Sequence, residues 1–160
     1  MAFLIAALIQ TEWTLADDAA VVSGTVTFEG AVPEAKRVDV GADAAAKKAH
    51  PDGLLIQRIM VDKDKGLANC IVYVKSGLEK FTFKAVDESA VVKYKDYALT
   101  PAVFVVRKGQ KLRLGNADDT CHNHHVSPKN NKGINVLLQG GKVAEAVFDA
   151  EEIGLVFKCD

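Results

Sequence analysis

Residues 109–127 read GQKLRLGNADDTCHNHHVS. "KLRLGN" and "HHVS" are two β-rich runs, and Asp118 and Asp119, following Asn116, supply turn chemistry between them. On a strand beginning "CHNHH", His122 and His124 share one face, while Cys121, Asn123 and His125 share the other. The same pattern of short alternating segments parted by turn residues extends in both directions. Downstream lie "INVLL", "VAEAVF" and "GLVFKC". Upstream lie "VVSGTVTFEG", "LLIQRIMV", "NCIVYVK", "AVVKY" and "AVFVVRKG". In "NCIVYVK", Cys70, Val72 and Val74 share a face by the period of two, so Cys70 is expected as a buried core thiol. The one helical candidate is "ADAAAKKAHPDG", a short helix or helical loop near 42–50 that Pro51 and Gly53 end. About ten short strands and almost no helix predict an all-β, antiparallel sandwich or barrel. We read residues 21–160 as one β-sandwich domain.

Composition agrees with a folded domain. The 160 residues are 49% apolar and 26% charged, with a formal net charge of −1, the usual balance of a globular protein with a real core. No stripe of Lys and Arg marks a nucleic-acid footprint. The "GGK" at 140–142 is not followed by the residues of a phosphate loop.

Residues 1–20 differ from the rest. "AFLIAALI" is apolar, and the polar, small-residue stretch after it offers Thr14-Leu15-Ala16 as a cleavage site, so a secretory leader is expected. No basic residue precedes Lys36, which departs from the usual leader. The run is far short of the ~20 residues of a spanning helix, and no transmembrane segment is expected. The alternative is an N-terminal amphipathic helix or strand. Export makes the three cysteines informative, because an odd number leaves at least one thiol unpaired.

The last run gives one thiol a role. On a strand over "GLVFKC", Leu155, Phe157 and Cys159 point to one face, which delivers Cys159 to the sandwich interior. A soft thiolate in an apolar shell suits copper. An i,i+2 histidine pair chelates metals, but such pairs also stand on exposed strands. The combination of the cluster with Cys159 is the more specific signal.

In that combination the sequence resembles the cupredoxin (plastocyanin-like blue-copper) family. "GQKLRLGNADDTCHNHH" is similar to the family's strand in which N-x-D precedes a ligand His-Asn, and "GLVFKC" to its cysteine-bearing strand. Through "GTVTFEGAVPE", "HPDGLL" and "LANCIVYVKSGLE" the resemblance extends to a bacterial exported group and covers nearly all of the chain after residue 20. It implies a Greek-key β-sandwich with one type 1 copper, Cu(I)/Cu(II). His122 would be the first imidazole ligand, Cys159 the thiolate ligand, and Asn123 the residue whose amide ties the two ligand loops together. It also implies a periplasmic or secreted electron carrier rather than an enzyme, a monomer working with a redox partner protein.

Several departures accompany the resemblance. His124 and Cys121 stand where the family more often has hydrophobes, and His125 matches a position without a settled ligand role; His124 and His125 are kept as auxiliary ligands. The family continues C-x-x-H and then Met, which residues 1–160 do not reach, so a second His and an axial Met are expected beyond residue 160. For these 160 residues by themselves, weak or altered copper binding is expected. Related chains often carry a Cys near "ADAAAKK" and another near "YKDYALTP", and neither is present here.

Other readings stand beside this one. Cys121 has Cys70 or Cys159 as possible disulfide partners, and a bond to Cys159 would abolish the site. His50, before Pro51, reads as a turn or capping histidine, and Asp118 and Asp119 as turn residues. In function, the rivals are a copper carrier or sensor without electron transfer and a cell-envelope interaction domain with a vestigial metal site. A zinc hydrolase is a distant third, since no general base stands out near the histidines.

Overall fold

The computed structural model describes residues 21–41, 43–83 and 85–160. The expected leader over residues 1–20 lies outside them. The chain divides into two compact units, one of residues up to 39 with 53–84, the other of 40–52 with 85–160. Eight strands and one short helix are described, so the protein is all-β. Among the described residues no helix is long and apolar enough to cross a membrane.

In the first unit, β1 (Lys36–Val38) pairs antiparallel with β2 (Leu54–Ile56). Single bridges join Thr27 to Gly66 and Val61 to Leu67. Asp62 Oδ1 accepts the N–H groups of Asp64 and Gly66 at 2.8 and 2.7 Å, which closes the "DKDKG" turn. The strand expected over residues 69–75 does not form. Ile71, Val72, Tyr73 and Val74 are exposed, and so is Cys70, which is not a core thiol. Alternation yields a strand only where a neighbour takes up its backbone N–H and C=O groups. Among the described residues no strand pairs with this segment.

The second unit holds α1 (Ala44–Ala49), inside the expected span. The Asp43 carboxylate accepts the amides of Ala45 and Ala46, each at 2.9 Å, and so caps the first turn. The helix ends at His50 because Pro51 disfavours a helical residue before it.

A four-stranded sheet forms the body of this unit. Its strands are β3 (Ala90–Lys95), β4 (Ala98–Thr100), β5 (Lys111–Asn116) and β8 (Val143–Val147), in the order β4-β3-β5-β8. β3 and β5 run parallel, against the antiparallel expectation, while β3–β4 and β5–β8 are antiparallel. β6 (His122–Val126) and β7 (Ile134–Leu138) form a separate antiparallel ladder.

Period-two alternation fills the core. Val92, Leu112 and Leu114 turn inward from β3 and β5, and Leu138 and Phe148 close over them. Burying each of the two leucines contributes about 1.5–3 kcal/mol. Two expected strands reach this core without ladders: Phe104 and Val106 from residues 102–109, and Leu155 and Phe157 from residues 154–159. The latter segment touches β6 through one bridge, in which the amides of His125 and Lys158 each donate to the other's carbonyl, at 3.0 and 2.9 Å.

Candidate metal centre

β5 ends on the buried residue Asn116, which shapes the turn ahead of β6. Its Nδ2 donates to the carbonyls of Thr120 and Leu138 at 2.6 and 2.9 Å, and its Oδ1 accepts the amide of Asp118 at 2.9 Å. The loop is thereby folded back and tied to β7. Asp118 in turn bridges two elements. Its Oδ1 accepts the amide of Asp96 at 2.7 Å, and its Oδ2 accepts the amide of Tyr97 at 2.9 Å and lies 2.8 Å from His122 Nε2.

Asp96 and Tyr97 form the two-residue turn between β3 and β4, with φ of 53° and 63°. Such a turn needs φ > 0 at both positions and favours Asn-Gly or Asp-Gly. Holding a side-chain-bearing residue there costs about 1–2 kcal/mol. The Asp118 carboxylate offsets this by taking both turn amides. It also holds the carboxyl's own proton affinity down. Burial works to raise its pKa, but the amides of Tyr97 and Asp96 and the His122 ring outweigh it and set the group below the usual value.

His122 opens β6 as a buried residue. Its ring stacks on Tyr94, with centroids 4.5 Å apart and planes 18° from parallel, and meets Tyr97 edge-on at 5.4 Å. Burial, followed by the nearby Cys159 and Asp160, pushes the Tyr94 hydroxyl up to about 12. With Nε2 on Asp118, the ring's Nδ1 faces Cys159 Sγ at 3.6 Å. The sulfur also accepts the backbone amide of Asn123 at 3.3 Å. Here it is the main chain of Asn123 that reaches the thiol; its buried side-chain Oδ1 has no hydrogen-bond partner among the described residues. Cys159 follows Leu155 and Phe157 on their face, yet it is exposed rather than interior. It lies beyond the single Lys158 bridge, where no described strand covers the sulfur.

The other two histidines are directed elsewhere. His124 is fully buried, with its ring edge toward Tyr94 and its Nε2 donating to the Gly115 carbonyl at 2.9 Å. His125 turns to the opposite face, with Nδ1 on the Asp160 carboxylate and Nε2 hydrogen-bonded with Ser127 Oγ at 3.1 Å. The three cysteines are free thiols, so no Cys121–Cys159 or Cys70–Cys121 bond is formed.

Burial holds the His124 ring below the ordinary histidine pKa; the Gly115 carbonyl opposes this and His122 adds to it. A depressed folded-state value means the unfolded chain takes a proton that the fold refuses. The stabilising share of the neutral ring is complete above about pH 6.5 and is lost as pH falls from there toward the lower folded value. Urea midpoints measured at about pH 7.5 and 5 should fall with acidification, and His124→Gln should flatten that part of the fall.

Two donor atoms, Nδ1 and Sγ, therefore converge. For a metal with M–S of about 2.3 Å and M–N of about 2.0–2.1 Å, a tetrahedral angle puts S and N about 3.6 Å apart. The observed 3.6 Å matches this span. A thiolate with an imidazole is the donor set of soft and borderline metals, copper among them. Among the described residues, no cluster of three or more His, Cys, Asp or Glu side chains is poised to hold a metal ion. The pair provides part of a coordination shell.

The row Asp118–His122–Cys159 has a second chemical use, as a thiol nucleophile with its base. A nucleophile needs a substrate cavity beside it. An open groove of about 760 Å³ exists in this unit, but it is lined by His125, Ser127, Glu152, Ile153, Val156 and Lys158, among others, and by neither His122 nor Cys159.

The expected site residues His122, Asn123 and Cys159 come together, and Asp118, Tyr94 and Tyr97 frame them. Asp118, expected as a turn residue, also reaches His122, four positions on. Tyr94 and Tyr97 carried no signal beyond the alternation of "AVVKY". No family model matches the chain, and no curated protein or solved structure matches it either.

Proposed function

We propose that this protein is a cupredoxin-like, Greek-key β-sandwich, exported from the cytoplasm, that carries single electrons through one type 1 copper held by His122 Nδ1 and Cys159 Sγ. The observation that carries the proposal is the 3.6 Å approach of these atoms, with the Asn123 amide on the same sulfur. Hydrogen bonding around the cysteine sulfur is one of the levers that tune such centres. Bound copper supplies the one-electron Cu(I)/Cu(II) couple.

The chain's own residues hold the ligands still. Tyr94 and Tyr97 fix the plane of the His122 ring, and Asp118 fixes its far nitrogen. The Asn116 bonds anchor the loop that carries Asp118. A ligand set that does not move between oxidation states keeps reorganisation small. The exposed Cys159 gives the electron a short route to a redox partner protein. Among the described residues no third side chain joins these two donors.

Voltammetry of the copper-loaded protein, as encoded, tests the reading. The expected result is a reversible one-electron couple with one copper per chain, and no couple would contradict it. The exposed sulfur and the two-donor shell also favour a second reading, a Cu(I) carrier that passes the ion on by ligand exchange. Tight Cu(I) binding without a reversible couple would select that reading.

A further inference from the structure

We infer that Asp118 is the positioning residue of this site: its carboxylate fixes His122 as the Nε2–H tautomer and thereby aims the Nδ1 lone pair at the Cys159 sulfur. The consequence for metal binding rests on the copper reading, whereas the tautomer rests on the hydrogen bonds of the chain itself.

Donor and acceptor roles decide the tautomer. The amides of Asp96 and Tyr97 are obligate donors, and both oxygens of Asp118 already accept from them at 2.7 and 2.9 Å. The carboxylate therefore presents acceptors, and a ring nitrogen 2.8 Å from Oδ2 must bring the proton. With the proton on Nε2, a neutral imidazole keeps its lone pair on Nδ1, which is the atom 3.6 Å from Cys159. Ring rotation offers no escape, since Tyr94 packs against the face of the ring and Tyr97 against its edge. Asp118 is itself pinned, because its amide donates to Asn116 Oδ1. A run of contacts thus leads from the end of β5 through Asp118 to the ligand atom. A carboxylate behind a metal-bound histidine also raises the basicity of the ligand.

The test begins on metal-free protein at about pH 8, above the ordinary histidine range. A Cys159→Ala background removes the thiol as a competing proton source. Ring ¹⁵N–¹H correlation spectra should show a protonated, slowly exchanging Nε2 and an unprotonated Nδ1 for His122. In Asp118→Ala the slow ring proton should disappear and the two nitrogens should move toward averaged shifts. With Cys159 restored, competition titrations with Cu(I) and Zn²⁺ should show a loss of about 10–100-fold in affinity for Asp118→Ala. An Nδ1–H or averaged pattern already in the Asp118-containing protein would overturn the inference, whether or not the Ala variant folds. So would an Ala variant that folds and leaves the ring spectrum unchanged. If the ring signature changes as expected while neither protein binds metal, the copper reading falls and the positioning role stands.

Discussion

Replacing Cys159 by Ala is expected to remove the thiolate-to-copper visible absorption of the Cu(II)-loaded protein and to weaken Cu(I) binding by more than about 100-fold. The magnitude follows from a comparison: losing a partner behind a ligand typically costs 10–100-fold in metal affinity, so losing the thiolate itself costs more. The other two histidines of the cluster are already engaged. His124 is held by Gly115 and His125 by Asp160, on other contacts than those of Nδ1. Absorption spectra and chelator-competition titrations measure both effects. Cys121→Ala serves as a control, because Cys121 immediately precedes β6, whose alternation places it on the face opposite His122, and it should leave the band in place. A band that survives in Cys159→Ala would remove this residue from the site.

Asn116→Ala is the substitution outside the proposed ligand pair with the largest expected effect. Its amide satisfies the carbonyls of Thr120 and Leu138, and its oxygen takes the Asp118 amide. The residue is buried, and so is Leu138, so water does not readily replace the bonds. Leaving such groups unsatisfied costs about 1–3 kcal/mol each, and a total near 3 kcal/mol is expected. Urea unfolding should report that loss, with a Tm lower by roughly 10 °C. Because Asn116 also fixes Asp118, metal affinity should fall together with stability. An unchanged midpoint would show that the loop is held by other means.

How much of this could be read beforehand depended on whether a local pattern was enough. β3, β5, β6, β7 and β8 carry their alternation within a few residues, and the α1 signals, Asp43 ahead and Pro51 behind, are equally local. Residues 69–75 have the same alternation and, among the described residues, no ladder partner, because pairing depends on distant chain that a local period does not report. The face of Cys159 followed from Leu155 and Phe157, but its exposure depends on what covers the end of the segment. His122 and His124 share a buried face, as period two requires, yet only His122 reaches the thiol. Gly115, on β5 of the four-stranded sheet, claims the other ring. Asp118 looked like turn chemistry because it is turn chemistry, for the Asp96–Tyr97 turn. Its second bond, to His122, is visible only once the loop is folded.

The most direct measurement of the central claim is X-ray absorption at the copper edge of protein loaded with one equivalent of Cu(I). One sulfur is expected in the first shell together with imidazole scattering, with loss of the imidazole contribution from His122 in His122→Ala. A first shell with no sulfur, or one that His122→Ala leaves unchanged, would contradict it.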